Sequence, residues 1–371
     1  MFLMDITGRD RGFGVGADHL SQTLDGVSLA TIWDEYLETL SIWNEKRSAL
    51  ASLFSATTTK TGDAVAQSEH GDEFEEASEF GLPKSTRPTV APLVMGYPLF
   101  WFDLAARYTE TFLRDATASE VRAVHANALE ADNRLVFRAI LKALFNKGNG
   151  STNENGATIY GLWDGATGTP PEFNGKTFDG LHSHYLVSGA ATIDGGDLRD
   201  LTNTITEHGY GLSQRWPVAI LVNPEQGDTI RGFRADLASN PATKPFDFIP
   251  AGDAPARITV ENIVGDLPPE QVGGLPVFGS YGKALLVEDY LIPSGYAVAV
   301  ATDTKPLAFR EHERAEFRGL RVIPGRADAR TPLIEARYQR GFGVGIQKRG
   351  AAAVMQVKAS GSYEAPNGYV A

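Results

Sequence analysis

The chain has 371 residues, no cysteine, and 34 Lys plus Arg against 46 Asp plus Glu, a formal net charge of −12. The missing sulfur excludes disulfide scaffolds, thiolate zinc sites and cysteine nucleophiles. The acidic balance argues against a free-standing nucleic-acid binder, whose non-specific affinity comes from Lys and Arg. No stretch approaches the roughly 20 apolar residues that span a bilayer, and Met1–Asp5 does not begin a signal peptide. We therefore expect a globular protein that is cytosolic where it is made and has no membrane partner.

An amphipathic helix is predicted in the first part of the chain. Apolar side chains recur at three- and four-residue spacings from Leu29 to Phe54, and Ser28 precedes them as an N-cap. Core packing is the simplest role for this helix.

The segment from Ser55 to Pro98 contains four prolines and no long apolar run. Between Lys60 and Lys84 there are seven carboxylates and no Lys or Arg, namely Asp63, Glu69, Asp72, Glu73, Glu75, Glu76 and Glu79. A solvated acidic face would explain this run. An extended arm that docks on a basic partner surface is the more specific alternative.

The strongest helical pattern runs from about Ala118 to Lys147. Thr117 and Glu120 have capping-box spacing, apolar residues follow near a period of 3.6, and Gly148 comes after the last turn. At about 1.5 Å per residue the helix would be about 45 Å long, longer than the diameter of a small domain.

Short elements alternate after this helix, which indicates an α/β or α+β module. The pattern predicts a helix over Asp197–His208, a buried strand over Val218–Val222 and a helix that starts at Asn223-Pro224. Further strands are predicted at Val277, Leu285–Val287 and Tyr296–Ala301.

The closing region alternates strictly and predicts long strands. Ile334, Ala336, Tyr338, Phe342, Val344 and Ile346 face one way, and Glu335, Arg337 and Gln339 face the other. A turn at Lys348–Gly350 then leads into a second strand near Ala352–Lys358. The sequence Arg-Gly-Phe-Gly-Val-Gly occurs at 11–16 and again at 340–345, where glycines on one strand face permit close approach of another backbone.

No catalytic motif is present. There is no phosphate-binding loop and no nucleophile elbow, and Gly12–Ala17 lacks the preceding strand of a dinucleotide fingerprint. His182 and His184 could supply two metal ligands from one strand face, with His208 or an Asp as a third only by proximity in sequence. Satisfied structural histidines are the simpler interpretation, and His208 suits a helix C-terminus. We predict no catalytic residue, no cofactor and no metal.

Charge is segregated along the chain. From Lys305 to Arg349 there are 11 Lys plus Arg against 5 acids, a balance of +6, whereas the acidic segment carries −7. Such segments can pair within a subunit or between copies, and head-to-tail pairing between copies generates rings or shells.

Eight short segments carry a resemblance to a known family. They are Ile42–Leu50, Phe74–Gly81, Ala131-Asp132 in the long helix, His184–Gly189, Glu207–Gly211, Ile292–Tyr296, Gly341–Val344 and Arg349–Val357. In number and order they resemble the major capsid proteins of tailed bacteriophages with the Hong Kong 97 fold, particularly those of phages that infect actinobacteria. The resemblance covers most of the chain.

The resemblance implies an α+β fold with an arm, a hairpin loop and two domains. The expected parts are an N-terminal arm (1–54), an extended E-loop hairpin (55–107), a P-domain (108–180) with the long spine helix at about 118–147, a mixed α/β A-domain (181–305), and the P-domain long strands with the C-terminal tail (306–371). It also implies pentamers and hexamers that close into an icosahedral shell around double-stranded DNA, with expansion of a procapsid.

The expected partners follow from the same resemblance. Because only about 54 residues precede the E-loop, we expect a separate scaffolding protein, together with a portal protein, a possible decoration protein and packaged DNA that is not bound sequence-specifically. The protein would assemble in the host cytoplasm and reside in the virion capsid. We predict intersubunit contacts through Glu73, Glu75, Glu76, Glu79 and Phe80 on the acidic segment and through Arg318, Arg321, Arg337 and Arg340 on the basic one.

Two alternatives remain at this point. An encapsulin-type shell would keep the fold and enclose a cargo protein. A His/Asp metal-dependent hydrolase would use His182 and His184.

Overall fold

The computed structural model describes residues 22–45, 49–67, 93–148, 150–235, 246–252, 267–324 and 333–369. The predicted contact residues Glu73, Glu75, Glu76, Glu79 and Phe80 lie outside the described residues, as does the first Arg-Gly-Phe-Gly-Val-Gly copy. None of the helices in the described ranges is both long and apolar enough to cross a membrane.

The described helices and strands alternate along the chain. The helices are α1 (Leu29–Glu45), α2 (Ala49–Phe54), α3 (Glu110–Asp115), α4 (Ala118–Phe145), α5 (Gly195–Thr206) and α6 (Pro224–Arg231), with a short 3-10 helix at Ala315–Phe317. The strands are β1 (Ser55–Thr58), β2 (Gly62–Val65), β3 (Leu93–Gly96), β4 (Phe100–Thr109), β5 (Tyr185–Val187), β6 (Val218–Val222), β7 (Phe248–Pro250), β8 (Gln271–Val272), β9 (Leu275–Pro276), β10 (Gly279–Tyr281), β11 (Ala284–Glu288), β12 (Tyr296–Ala301), β13 (Leu307–Glu311), β14 (Leu320–Pro324), β15 (Leu333–Ile346) and β16 (Ala352–Gln356).

The chain divides into two compact units. Unit 1 consists of Met1–Arg47, Phe100–Leu135 and Glu311–Phe342, and unit 2 consists of Ser48–Leu99, Val136–Arg310 and Gly343–Ala371. Helix α4 and strand β15 contribute residues to both units.

Unit 1 is a two-layer arrangement of strands and helices. Strand β15 runs antiparallel to β14 on one side and to β4 on the other, so that Arg337 pairs with Ile323 and with Ala105. The face that carries Ala336 and Tyr338 packs against α1 and α4, where Leu40 and Ala128 belong to the same buried cluster. The alternation predicted for β15 is confirmed at these positions, because Ala336 and Tyr338 are buried and Arg337 is exposed.

Unit 2 is built around a seven-stranded mixed sheet with the order β5-β16-β12-β6-β11-β10-β7. Every residue of β6 and of β12 is buried, which explains why these strands are continuous apolar runs and do not alternate. Helix α5 packs on β16, β12 and β6 through Leu198, Leu201 and Ile205. Strands β2 and β3 pair antiparallel at the base of the segment that was predicted to be the E-loop.

Most sequence-predicted elements are confirmed. The long helix is α4, whose first turn has the expected capping box: the Thr117 N–H donates to Glu120 and the Glu120 N–H donates to Thr117. Helix α6 begins with Pro224 after the N-cap Asn223, as predicted. Glycines of β15 do permit close approach, since a Cβ on Gly343 would collide with the Pro98 backbone.

The predicted turn and second strand at the end of the chain are confirmed, with the strand two residues shorter than predicted. Strand β16 is five residues long and lies between β5 and β12 in the sheet of unit 2. Two contacts redirect the chain. The backbone N–H groups of Gln347 and Lys348 donate to the Pro306 carbonyl, and the Arg349 side chain is fully buried.

Candidate functional site

One face of the unit 1 sheet carries two of the residues predicted as subunit contacts, Arg321 and Arg337. Residues paired across antiparallel strands project to the same side, so Arg321 lies beside Gln339, and Arg337 follows two positions away on β15. Trp101, paired with Gly341, joins them from β4. Because α1 and α4 cover the opposite face, we call this face, defined by Trp101, Arg321, Arg337 and Gln339, the outer sheet face.

The arginines on or next to the outer sheet face differ in how firmly they are held. Arg337 is exposed. The Arg321 guanidinium lies 4.7 Å from the centre of the Phe317 ring, a cation–π contact that holds it against the 3-10 helix. Arg318 donates from Nε to the His312 carbonyl at 2.8 Å. Arg318 and Arg337 are thus exposed, whereas Arg321 is half-buried.

Arg340 lies on the other face of the same strand. Its guanidinium forms an ion pair with Asp132 of α4, and the two side chains are 14 % and 3 % exposed. Trp43 of α1 donates its indole N–H to the same carboxylate at 3.0 Å. The predicted contact residue Arg340 therefore already has a buried partner within the chain, because the spacing of three residues from Arg337 reverses its side on a strand.

A cavity of about 260 Å³ opens beside this ion pair in unit 1. It is lined by residues of β4, α4, β14 and β15, among them Phe102, Leu104, Leu135 and Tyr338. Leu104 is 45 % exposed, and on the same strand Phe100 and Trp101 are 57 % and 44 % exposed. A strand that exposes three large apolar side chains is typical of a protein contact surface.

Unit 2 brings together three histidines, of which one is distant in sequence from the other two. His182 and His184 precede β5, and His208 follows α5 one residue after its C-cap Glu207. The position of His208 at a helix C-terminus is confirmed, but its ring stacks on Phe178 at 4.2 Å and its Nε2 lies 3.0 Å from that of His184. Burial lowers the pKa of His208 to about 3 and lowers the pKa values of His182 and His184.

Arg349 is a buried structural residue that sequence reasoning missed. It belongs to the basic segment from Lys305 to Arg349, but its side chain is fully buried under the Trp163 ring, 3.9 Å away. It donates to the carbonyl oxygens of Gly161, Leu162 and Thr167 at 2.8–3.2 Å. Burial lowers the pKa of Arg349 to about 10, so that it stays charged at neutral pH. Its backbone partners lie more than 180 positions away, and no local pattern marks them.

Comparisons with known proteins were made over the whole chain. No protein-family model matches it, and no curated protein matches it. Among solved structures, the chain is 37 % identical to one from Mycobacterium phage Patience, with a TM-score of 0.69 and 96 % of each chain covered.

More distant matches have lower identity. The capsid of an empty GTA particle is 14 % identical with a TM-score of 0.47, covering 85 % of this chain and 92 % of that one. The SrpI encapsulin of Synechococcus elongatus is 11 % identical with a TM-score of 0.45, covering 94 % of this chain and 95 % of that one. The identity to the mycobacteriophage chain, over nearly the full length of both, is the finding that decides the family. The chain belongs to the major capsid proteins of tailed bacteriophages with the Hong Kong 97 fold.

Proposed function

We propose that the protein works entirely by self-assembly and catalyses no reaction. In this proposal its copies form pentamers and hexamers that close into an icosahedral shell around double-stranded phage DNA. The observation that carries it is the 37 % identity over 96 % of both chains, which spans both units.

The outer sheet face is the proposed subunit contact in unit 1. It offers the exposed Arg337, the Phe317-supported Arg321 and the half-exposed Trp101, a combination of cations and an aromatic ring that is enriched at interfaces. The acidic segment contributes the complementary charges through Glu73, Glu75, Glu76 and Glu79, with Phe80 as an apolar anchor. A neighbouring copy of this chain is thus the proposed occupant, and the contact is head-to-tail.

The stability of the shell would come from repetition of weak contacts. One exposed ion pair contributes only about 0 to 1 kcal/mol, so a single arginine–glutamate pair would not hold two subunits together. Several pairs and buried aromatic rings at each symmetry-related contact accumulate to a stable particle. Arg318 and Arg340 stay predicted contacts of lower weight, because both already bond within their own chain.

Assembly tests this proposal directly. We expect negative-stain electron microscopy of the expressed wild-type protein to show closed particles of megadalton mass. The double variant R321E/R337E should remain folded by circular dichroism but form no particles, whereas the charge-conserving control R321K/R337K should assemble.

A charge exchange makes the test specific for this contact. The variant E73K/E75K/E76K/E79K should also fail to assemble alone, and combining it with R321E/R337E in one chain should restore particles, because every head-to-tail contact then pairs opposite charges again. Normal particles from either charge-reversed variant alone would refute the charge-docking contact, and they would leave the shell function itself unaffected.

The remaining partners are proposals of the same kind. We propose a separate scaffolding protein, a portal protein, a possible decoration protein and assembly in the host cytoplasm. With a net charge of −12, the shell would enclose DNA without gripping it, because counterions neutralise most of the phosphate charge. Recombinant shells that retained DNA through washes at moderate salt would contradict this view of the shell interior.

A further inference from the structure

Three imidazole rings of unit 2 bring their Nε2 atoms close together. Nε2 of His182 lies 2.9 Å from Nε2 of His208 and 3.3 Å from Nε2 of His184, and the latter two atoms lie 3.0 Å apart. In the part of the chain that the structure describes, this is the one group of three or more His, Asp or Glu side chains whose ligand atoms all converge within 4.8 Å.

Hydrogen bonds among the rings do not account for this convergence. In a neutral imidazole each nitrogen carries either a proton or a lone pair, so it is either a donor or an acceptor. Three mutually adjacent atoms cannot be divided into donors and acceptors so that every pair is complementary. At least one contact among His182, His184 and His208 therefore joins two like groups, whatever the tautomers.

The tautomer of His184 is fixed by the backbone. Nδ1 of His184 lies 2.7 Å from the Ala352 carbonyl oxygen, which can only accept. Nδ1 must carry the proton, and Nε2 then presents its lone pair to the other two rings. A backbone carbonyl that holds the outer nitrogen of a histidine is the usual support of a metal-ligating imidazole.

We propose that Nε2 atoms of His182, His184 and His208 bind one divalent transition-metal ion, for which zinc is the best fit. Zinc binds imidazole nitrogens at about 2.0–2.1 Å in tetrahedral geometry, which places ligand atoms about 3.3–3.4 Å apart. The observed separations of 2.9–3.3 Å require only that the rings move outward by a few tenths of an ångström. A central cation satisfies all three lone pairs at once.

The surroundings assign the ion a structural role. His184 and His208 are 0 % and 1 % exposed, and the Phe178 ring covers His208. The nearby carboxylate of Glu207 is held by Lys176 at 2.5 Å. Only His182 is half-exposed, so a water molecule from that side would complete the tetrahedron. The ion would fasten the segment before β5 to the loop after α5 and, through Ala352, to β16.

Metal content is the first measurement, made on the full-length chain without a histidine tag. Plasma mass spectrometry should find about one zinc per chain in the wild type. The variant H182Q should lose nearly all of it, and it should fold because the side chain at this position is half-exposed and Gln keeps a polar group there. H312Q, which removes a histidine of unit 1, is the matched control and should retain the zinc.

Spectroscopy and melting then separate a built site from adventitious binding. Cobalt(II) should give the intense visible absorption of a tetrahedral site in the wild type and H312Q but not in H182Q. A chelator should lower the melting temperature of the wild type and H312Q by a few degrees and leave H182Q unchanged.

Four results would overturn the inference. A wild type that binds neither zinc nor cobalt, or an H182Q variant that binds as much as the wild type, would remove the site. A zinc-loaded protein whose melting temperature ignores the chelator, or one that hydrolyses model esters with a rate lost in H182Q, would overturn the structural role. Failure of this site would leave the proposed shell function intact, because particle formation is measured separately.

Discussion

The two units of the chain bury their strands in opposite ways. In unit 2 every residue of β6 and β12 is buried, whereas in unit 1 seven of the ten residues of β4 are exposed. A strand buried on both faces draws its stability from its own chain. A strand that exposes Phe100, Trp101 and Leu104 leaves apolar surface that association with another molecule can still bury.

The charged residues repeat this contrast. The Arg349 guanidinium of unit 2 is completely enclosed and bonded to backbone carbonyls, while Arg337 of unit 1 is exposed. Unit 2 uses its positive charge to hold its own loops together. Unit 1 presents its charge outward, where it can select and orient a neighbouring subunit.

The largest expected effect is the loss of the buried guanidinium in unit 2. Arg349→Met leaves the carbonyls of Gly161, Leu162 and Thr167 buried without their donor, and we expect a loss of about 3–5 kcal/mol in the free energy of unfolding. Urea unfolding followed by tryptophan fluorescence measures it. The neighbouring control Lys348→Met should cost less than about 1 kcal/mol. A small loss in Arg349→Met would mean that water reaches these carbonyls.

Truncation of one leucine in each unit tests the contrast in burial itself. Leu286 of β11 is completely buried, so Leu286→Ala should cost about 2–5 kcal/mol. Leu104 of β4 is 45 % exposed, so Leu104→Ala should change the free energy of unfolding of the unassembled chain by less than about 1 kcal/mol. Equal losses in the free energy of unfolding of the two variants would contradict the difference in burial between the two units.

Two ion pairs of unit 1 differ in burial, so substitutions in them test whether a closed site contributes more to the free energy of unfolding than an exposed one. Asp132→Asn removes the charge that Arg340 and Trp43 share, and because that site is almost closed we expect a loss of about 2–3 kcal/mol. The control Glu35→Gln breaks an exposed pair with Arg122, whose side chains are 41 % and 45 % exposed, and should cost at most about 1 kcal/mol. Denaturant unfolding of both variants in low and moderate salt would show the difference.

Local patterns predicted the elements of this fold well but not the pairing of distant ones. The capping box at Thr117, the Asn223-Pro224 helix start and the apolar run of Val218–Val222 are local signals, and all three are confirmed. The neighbours of β16 in its sheet had no such signal, because strand pairing is decided by contacts between residues far apart in the sequence.

The candidate sites show the same limit. The alternation in β15 predicts that Arg337 lies on the exposed face. Arg340 is three positions further along, an odd number, so the same alternation puts its side chain on the opposite face. No local pattern signals the convergence of His208 with His182 and His184. These residues are brought together across a segment of more than 20 residues that contains β5 and α5. The family came from the order of many weak segments, none of which is diagnostic alone.

The smallest expected effect is a difference in pH dependence. Asp197 of unit 2 is the N3 residue of the α5 capping box, and burial raises the pKa of its carboxyl from 3.8 to about 7. Between about pH 4 and pH 7 the folded chain therefore binds more protons at this site than the unfolded chain. The free energy of unfolding should fall as the pH rises through that window, and Asp197→Asn should remove this part of the slope.

His125 of unit 1 should contribute the opposite slope. Its ring lies stacked on Tyr36 at 3.9 Å with Nδ1 2.8 Å from the Tyr338 hydroxyl, and burial lowers its pKa below 6.5. Below about pH 6.5 the unfolded chain binds more protons at this site, so the free energy of unfolding should fall as the pH drops. His125→Gln should flatten the acid side of the profile, and Asp197→Asn the neutral side. If both variants flattened the same side, the opposite pKa shifts assigned to Asp197 and His125 would be wrong.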